Sequence, residues 1–144
     1  MIEVHVSSII PAEVDRVWRV VRDFDAMPSW HPLIAQSRIE CSAASDSIGC
    51  VRNFSLTDGT NIREKLLSLS DLEHSFSYAI VEADIELQNY VAHFALLPVT
   101  DGNVAFATWS ARFTCPKGME DELRQTVSQG VFQAGFDALK RRFV

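Results

Sequence analysis

The stretch RNFSLTDGTNIRE, residues 52–64, contains two short segments of strand-like character joined by Thr57, Asp58 and Gly59. Two turn geometries fit this sequence. Asp58 and Gly59 could form a two-residue hairpin turn, or all three residues could form a loop in which Gly59 is left-handed and creates a bulge. The choice matters because side chains alternate along a strand, so the two geometries place the partner strand in opposite registers.

The two registers differ in which charged residues face each other. The two-residue turn places Arg52 opposite Lys65, whereas the three-residue loop places Arg52 opposite Glu64 and so forms an opposite-charge pair. The three-residue loop also gathers apolar side chains on one face: Cys50, Phe54, Leu56, Ile62 and Leu66. We therefore predict the three-residue loop, with Arg52 and Glu64 side by side on the apolar face and directed towards the interior.

The composition favours one compact domain over residues 1–144. The chain is 47% hydrophobic, which is enough for a single core, and its net charge of −6 without a basic run argues against a nucleic-acid partner. No apolar run is long enough for membrane insertion. Glu3 stands where a signal peptide would be basic, and the three cysteines have no paired spacing. We therefore expect a cytoplasmic location.

The hydrophobic periodicity predicts a strand, a short helical region, five or six further strands and a last helix. Ile2, Val4 and Val6 alternate with polar residues, Pro11 is expected to open a helix that ends near Phe24, and Asp25 is expected to cap a second short turn. Turn-rich connections of a few residues indicate antiparallel pairing. The further strands are expected at about 34–42, 48–56, 60–70, 75–82, 88–98 and 103–115.

The last helix, which follows Pro116 and Gly118, is unusually apolar. Its width predicts that it lies across the sheet. Gly130 and Gly135 sit inside this helix although each costs about 1 kcal/mol relative to alanine. They either allow close packing of helix on strand or open a cavity between them. The two apolar stripes comprise Leu123, Val127, Val131, Ala134 and Ala138, and Phe132, Phe136, Leu139 and Phe143.

Several segments resemble one known family over nearly the whole chain: residues 12–32, AEVDRVWRVVRDFDAMPSWHP; residues 49–71, GCVRNFSLTDGTNIREKLLSLSD; residues 89–96, NYVAHFAL; and residues 108–113, TWSARF. They resemble the polyketide cyclase/dehydrase group of the START-like (SRPBCC, Bet v 1-like) superfamily. This resemblance implies an α+β helix-grip fold, in which a curved seven-stranded antiparallel sheet wraps around a long C-terminal helix and two short helices follow the first strand.

The resemblance also implies a hydrophobic cavity between sheet and helix for a small ligand such as a lipid, polyketide or isoprenoid. We expect a cavity of at least a few hundred cubic ångströms, which is the usual scale of ligand pockets. Its expected lining comprises Phe54, Ile62, Glu64, Leu66, Tyr78, Tyr90, Trp109, Phe113, Val127, Val131 and Gly135.

Plant abscisic acid receptors share this layout, and the resemblance extends to five polar or aromatic cavity positions. These positions are His31, Arg52, Glu64, Tyr90 and Trp109. The gating loops do not resemble those of the receptors, because a tight loop joins the two hairpin strands here and EADIELQ, residues 82–88, replaces the second gate. Many relatives carry small residues and proline before Asn89 and Tyr90, whereas residues 83–87 here add two acids, Asp84 and Glu86, which predict an acidic cavity mouth.

Four residues are candidates for catalysis in a cyclase, aromatase or dehydratase. Arg52 could polarise a carbonyl while Glu64, Tyr78 or His31 exchanges protons with the ligand. Each also has a structural interpretation: Arg52 and Glu64 as an ion pair that fixes the strand register, His31 as a cap of the short helix, and Tyr78 as core. Binding without catalysis is the favoured function.

The histidines are scattered and no cofactor fingerprint occurs, so neither a metal nor a cofactor is expected. A third alternative is a protein-interaction module that uses the outer face of the sheet. Apolar residues there could also form a homodimer contact; otherwise the protein is a monomer. This outer patch is predicted to comprise Val51, Leu67, Leu69, Val91 and Leu97.

Overall fold

The computed structural model describes residues 1–144 as one sheet covered on one face by helices. The strands are β1 (Ile2–Ile10), β2 (Ile34–Ile39), β3 (Val51–Leu56), β4 (Asn61–Ser70), β5 (Ser75–Ala83), β6 (Gln88–Val99) and β7 (Val104–Thr114). Helix α1 spans Val14–Val21, and short 3-10 turns span Met27–Ser29 and Glu40–Ser42. The long helix α2, residues 120–142, joins Glu120–Gln125, a π-helical segment Thr126–Gln133, and Ala134–Arg142.

All seven strands pair antiparallel, in the order β1-β7-β6-β5-β4-β3-β2. The inward-facing residues of the strands alternate with exposed ones, as expected for a sheet with one buried face. Helix α2 packs on the buried face, which confirms the predicted helix-grip fold. No helix is both long and apolar enough to cross a bilayer.

Aromatic side chains fill the space between α2 and the centre of the sheet. Trp109 on β7 stacks on Phe132 of α2 with 4.6 Å between ring centroids, and Phe94 on β6 packs edge-on against Trp109 at 5.3 Å. Phe136 of α2 lies 5.8 Å from the same indole. Large rings bury much apolar area in such arrangements, so this part of the interior is a solid core.

The first helix differs from its prediction at both ends. It begins at Val14, three residues after Pro11, because Glu13 has a non-helical conformation with φ −55° and ψ 143°, and the helix ends at Val21 rather than near Phe24. Asp25 does not cap the following turn, whose N-cap is Ala26. Instead the Ser37 hydroxyl donates a 2.8 Å hydrogen bond to the Asp25 carboxylate, so Asp25 ties this segment to β2.

The two glycines of α2 do not open a cavity, so that interpretation is wrong for both. A Cβ atom on Gly135 would lie 2.9 Å from both His31 Cδ2 and Trp109 Cζ3, which shows close packing of helix on sheet. A Cβ atom on Gly130 would have no neighbour within 4 Å, because this residue faces solvent.

A β-bulge changes the predicted apolar patch on the outer face. The pairing of β4 with β5 shifts between Leu66 and Ser68, so Leu69 pairs with Phe76 and packs against the core. The prediction that Leu69 faces outward is therefore wrong, because the extra residue reverses the alternation. Leu67, Val91 and Leu97 are 40%, 36% and 58% exposed and remain on the surface.

Candidate functional site

The hairpin of β3 and β4 forms in the predicted register. The backbone N–H of Leu56 donates to the carbonyl of Thr60 at 2.8 Å, and Gly59 has a φ of +92°, which glycine adopts without strain. Arg52 therefore pairs directly with Glu64. The three-residue loop places both side chains on the buried face, so the prediction of an inward-facing ion pair is confirmed.

Arg52 and Glu64 form a buried ion pair with an uneven geometry. Only 3% of Arg52 and 5% of Glu64 is exposed. Arg52 Nε lies 2.9 Å and Nη2 lies 2.7 Å from the same oxygen, Glu64 Oε1. Arg52 Nη1 donates to the backbone carbonyl of Phe24 at 3.1 Å. All three guanidinium nitrogens therefore have partners within the protein.

Aromatic rings enclose the Arg52 guanidinium. Its Cζ atom lies 3.9 Å from the ring centroid of Phe24 and 4.8 Å from that of Tyr78, distances at which a cation is attracted to a ring face. Arg52 does not reach the wall of the cavity described below. The cation is thus held behind its carboxylate partner and away from any molecule in the cavity.

The second oxygen of Glu64, Oε2, accepts no hydrogen bond from the protein and is not a completely enclosed atom. The Glu64 side chain is part of the cavity wall. Burial raises the pKa of Glu64, and the neighbouring Arg52 acts in the opposite direction. The site therefore offers the cavity one unpaired carboxylate oxygen.

An apolar cavity of about 70 Å³ lies between α2 and the strand ends near the β3–β4 and β5–β6 connections. Its buried wall comprises Met27, Ile34, Phe54, Ile62, Glu64, Tyr78, Tyr90, Trp109 and Val127. The remaining wall residues are half-buried and form what we call the mouth: Leu33, Leu56, Ile80, Ile85, Leu87, Thr126 and Val131.

The cavity is much smaller than predicted. Leu66, Phe113 and Gly135 were expected to line it but lie elsewhere, because the solid aromatic core occupies the centre of the sheet. Phe113, for example, stacks on Tyr90 with 5.9 Å between centroids. The other predicted lining residues do lie on the wall: Phe54, Ile62, Glu64, Tyr78, Tyr90, Trp109, Val127 and Val131.

Sequence reasoning did not identify most of the mouth. Ile85 and Leu87 lie in the segment that was noted only for its acids, yet both are wall residues and half-buried. Their alternation with Asp84 and Glu86 is a two-residue pattern that indicates inward-facing side chains. That signal was available in the sequence. The acidic side chains of the same segment are exposed.

His31 is a neutral structural link between the segment after α1 and the π-helical segment of α2. The Leu33 N–H donates to His31 Nδ1 at 3.1 Å, which leaves the ring proton on Nε2, and Nε2 lies 2.8 Å from the Val131 carbonyl. Burial is the main cause that lowers the pKa of His31. Both ring nitrogens are thus engaged, and His31 is not on the cavity wall.

Tyr78 and Tyr90 line the cavity with their rings 6.4 Å apart. The Trp109 Nε1–H donates to the Tyr78 hydroxyl at 2.9 Å. Burial, reinforced by the nearby Glu64 charge, raises the pKa of Tyr78, and burial also raises the pKa of Tyr90. Both phenols therefore stay protonated at neutral pH.

Three further depressions are larger, about 280, 360 and 500 Å³, but they are wide and open. Hydrophobic residues are a minority of the residues that line each of them, unlike the wall of the cavity under α2. No group of three or more His, Cys, Asp or Glu side chains is arranged to hold a metal ion. The cavity beside Glu64 is therefore the best candidate for a binding site.

Solved structures of several bacterial proteins have the same fold. XoxI from Bacillus cereus superposes with a TM-score of 0.89 at 26% identity, covering 99% of this chain and 96% of that one. A protein from Nitrosospira multiformis gives a TM-score of 0.83 at 28% identity and covers 99% and 97%. A protein from Thermobifida fusca gives 0.88 at 26% identity and covers 99% and 93%.

Two plant proteins are similar over part of their length. The abscisic acid receptor PYL7 of Arabidopsis thaliana is 33% identical over 93 residues, which are 62% of this chain and 42% of that protein. The abscisic acid receptor PYL10 is 34% identical over 90 residues, or 60% and 48%. The matched region thus spans less than half the length of these receptors.

A protein-family model provides the broadest match. The model described as "Polyketide cyclase / dehydrase and lipid transport" matches residues 1–144. This match agrees with the seven-stranded sheet, the long C-terminal helix and the apolar cavity between them. By its sequence and by its fold, the chain belongs to the polyketide cyclase/dehydrase and lipid transport family.

Proposed function

We propose that the protein binds and carries a small hydrophobic ligand in the cavity between the sheet and α2. The observation that carries this proposal is the composition of the wall, in which 14 of 16 residues are hydrophobic. Such walls with few polar groups are typical of small-molecule sites. Membership of a family described by lipid transport supports the same function.

Binding requires the cavity to enlarge, because about 70 Å³ is far below the roughly 300–1,000 Å³ of typical ligand sites. The mouth is the part of the wall that can move, since its side chains are only half-buried. Ile85 and Leu87 lie on a connection between strands, where few backbone hydrogen bonds resist displacement. A ligand would replace the contacts that these two side chains make with the buried core.

Acid–base catalysis is the second candidate, and the free oxygen of Glu64 favours it. A buried carboxylate with a raised pKa can exchange a proton with a bound carbonyl compound, which typically contributes about 10²–10⁴-fold in rate. His31 is less suited because its ring nitrogens are engaged, and Arg52 is screened from the cavity by its partners. Tyr78 would serve as a hydrogen-bonding group.

Native mass spectrometry of protein purified gently from its host tests the proposal. We expect an apolar molecule to co-purify and to be released on denaturation. Val131→Phe, at the mouth, should reduce its occupancy, whereas Val91→Phe on the outer face should not. Absence of any bound molecule, together with no uptake of apolar compounds by the purified protein, would contradict a carrier. Turnover of the molecule, lost in Glu64→Gln with the fold intact, would establish the enzyme instead.

We extend the proposal to a cytoplasmic carrier that acts as a monomer or homodimer. Three free cysteines support a reducing compartment. A protein-interaction role has less support, since the inward turn of Leu69 reduces the apolar area of the outer face.

A further inference from the structure

The cavity wall contains one carboxylate, that of Glu64, and only one of its two oxygens has a hydrogen-bond partner in the protein. The oxygen without a partner is Oε2. The other polar groups of the wall are uncharged hydroxyls: that of Thr126 at the mouth and those of Tyr78 and Tyr90, whose pKa values are raised by burial. The Tyr78 hydroxyl already accepts the Trp109 N–H. A ligand that fills the cavity therefore lies against a side chain in which one carboxylate oxygen has no hydrogen-bond partner.

Positive charge is kept away from the same cavity. Arg52 is nearest to it, but its nitrogens bind Glu64 Oε1 and the Phe24 carbonyl, and its faces are covered by rings. His31 directs its Nε2 proton to the Val131 carbonyl. Neither residue lies on the wall. A carboxylate or phosphate group on a ligand would approach the Glu64 carboxylate, while Arg52 is already paired with Glu64 and cannot bind the ligand directly.

We propose that the cavity selects neutral apolar molecules that carry a hydroxyl or another hydrogen-bond donor, and that this donor binds Glu64 Oε2. This inference rests on the proposed function, since it specifies the chemistry of the ligand in the same cavity. It excludes fatty acids and other apolar anions as preferred ligands.

The selectivity follows from the cost of an unpaired buried oxygen. A ligand that enters the cavity removes water from Oε2, and a ligand donor replaces that hydration with a charge-assisted hydrogen bond. A ligand without a donor leaves the oxygen without water and without a hydrogen-bond partner. The free-energy cost is then the full desolvation of the oxygen, which is larger than the net contribution of a typical hydrogen bond. An anionic ligand adds repulsion between like charges at short range.

Three matched compounds test this selectivity in the wild-type protein: octanol, its isomer heptyl methyl ether, and octanoate. Binding at neutral pH is followed by tryptophan fluorescence, because one of the three tryptophans, Trp109, lies on the cavity wall. We expect octanol to bind about ten- to hundredfold more tightly than the ether, as a hydrogen bond to a charged group predicts, and octanoate to bind most weakly. Equal affinities, or a preference for octanoate, would overturn the inference while leaving the carrier function intact. Failure of all three to bind would overturn both.

The variant Glu64→Gln tests whether the selectivity depends on Glu64 Oε2. Arg52 requires an acceptor at the Oε1 position, so the new amide nitrogen takes the position of Oε2 and presents a donor to the cavity. The preference for octanol over the ether should then fall to about threefold or less. Glu40→Gln is the matched control, because Glu40 binds Arg63 outside the cavity. Persistence of the preference in Glu64→Gln, with native circular dichroism, would contradict the role of Oε2.

Discussion

Arg52 directs two nitrogens to one oxygen of Glu64, at 2.9 and 2.7 Å, and leaves the other oxygen of this cavity-wall residue without a hydrogen-bond partner. This unequal sharing gives the pair two roles. The Oε1 side stabilises the Arg52 charge inside the protein, and the Oε2 side is available to a ligand. The structural and the functional interpretation of the pair are therefore compatible, because they concern different atoms.

The buried pair should be strongly coupled in folding. We expect Glu64→Leu to lower the free energy of unfolding by about 3–5 kcal/mol, because Arg52 then stays buried without a partner, and the double variant Arg52→Met with Glu64→Leu to recover most of the loss. Urea denaturation measures both values. The half-exposed pair of Arg63 and Glu40 provides the control, and its removal should cost much less. Equal losses for the two pairs would contradict a desolvated Arg52.

The two glycines of α2 should respond to alanine with opposite signs. Gly135→Ala places a methyl group 2.9 Å from the rings of His31 and Trp109, and overpacking of this kind costs about 1–3 kcal/mol. Gly130→Ala meets no atom within 4 Å and should stabilise the protein by about 0.5–1 kcal/mol through helix propensity. Thermal unfolding distinguishes the two. A stabilising Gly135→Ala would mean that helix and sheet are farther apart than described.

His31 should make stability depend on pH in a defined direction. Burial lowers the pKa of His31 from 6.5, so between that value and the lower folded one the unfolded chain binds more protons than the native protein. Stability should therefore fall as the pH decreases below about 6.5, by at most about 1.4 kcal/mol per pH unit from this group. His31→Asn, which does not titrate, should show a shallower slope in denaturation series. Parallel slopes would contradict a neutral His31. Nitrogen NMR should also find the ring proton on Nε2.

The sequence was sufficient to predict the hairpin and much of the sheet, because their determinants are local. Turn chemistry at Gly59 and the charge pairing of Arg52 with Glu64 selected one register, and two-residue alternation located the strands. Non-local features were not predictable in this way. The bulge that turns Leu69 inward depends on the pairing of two strands, and the ring packing around Gly135 depends on three elements that meet only in the folded chain.

The size of the cavity could not be predicted from the sequence either. Apolar stripes indicate which faces are buried, but not whether opposing side chains leave a space between them. Trp109 and Phe132 stack across the sheet–helix interface, so the volume expected near Gly135 is filled and the cavity is confined to the strand ends. The screening of Arg52 from the cavity likewise depends on the Phe24 carbonyl, which comes from a different part of the chain.

Methyl NMR during titration with octanol tests the central claim, that a neutral apolar ligand enters the cavity beside Glu64. We predict saturable shifts of the wall methyl groups of Ile80, Ile85, Leu87, Val127 and Val131. The methyl groups of Ile9, Val91 and Leu97, which are exposed apolar residues elsewhere on the protein, serve as internal controls and should not move. Shifts confined to those three controls, or no saturable shift of any wall methyl group, would contradict the account.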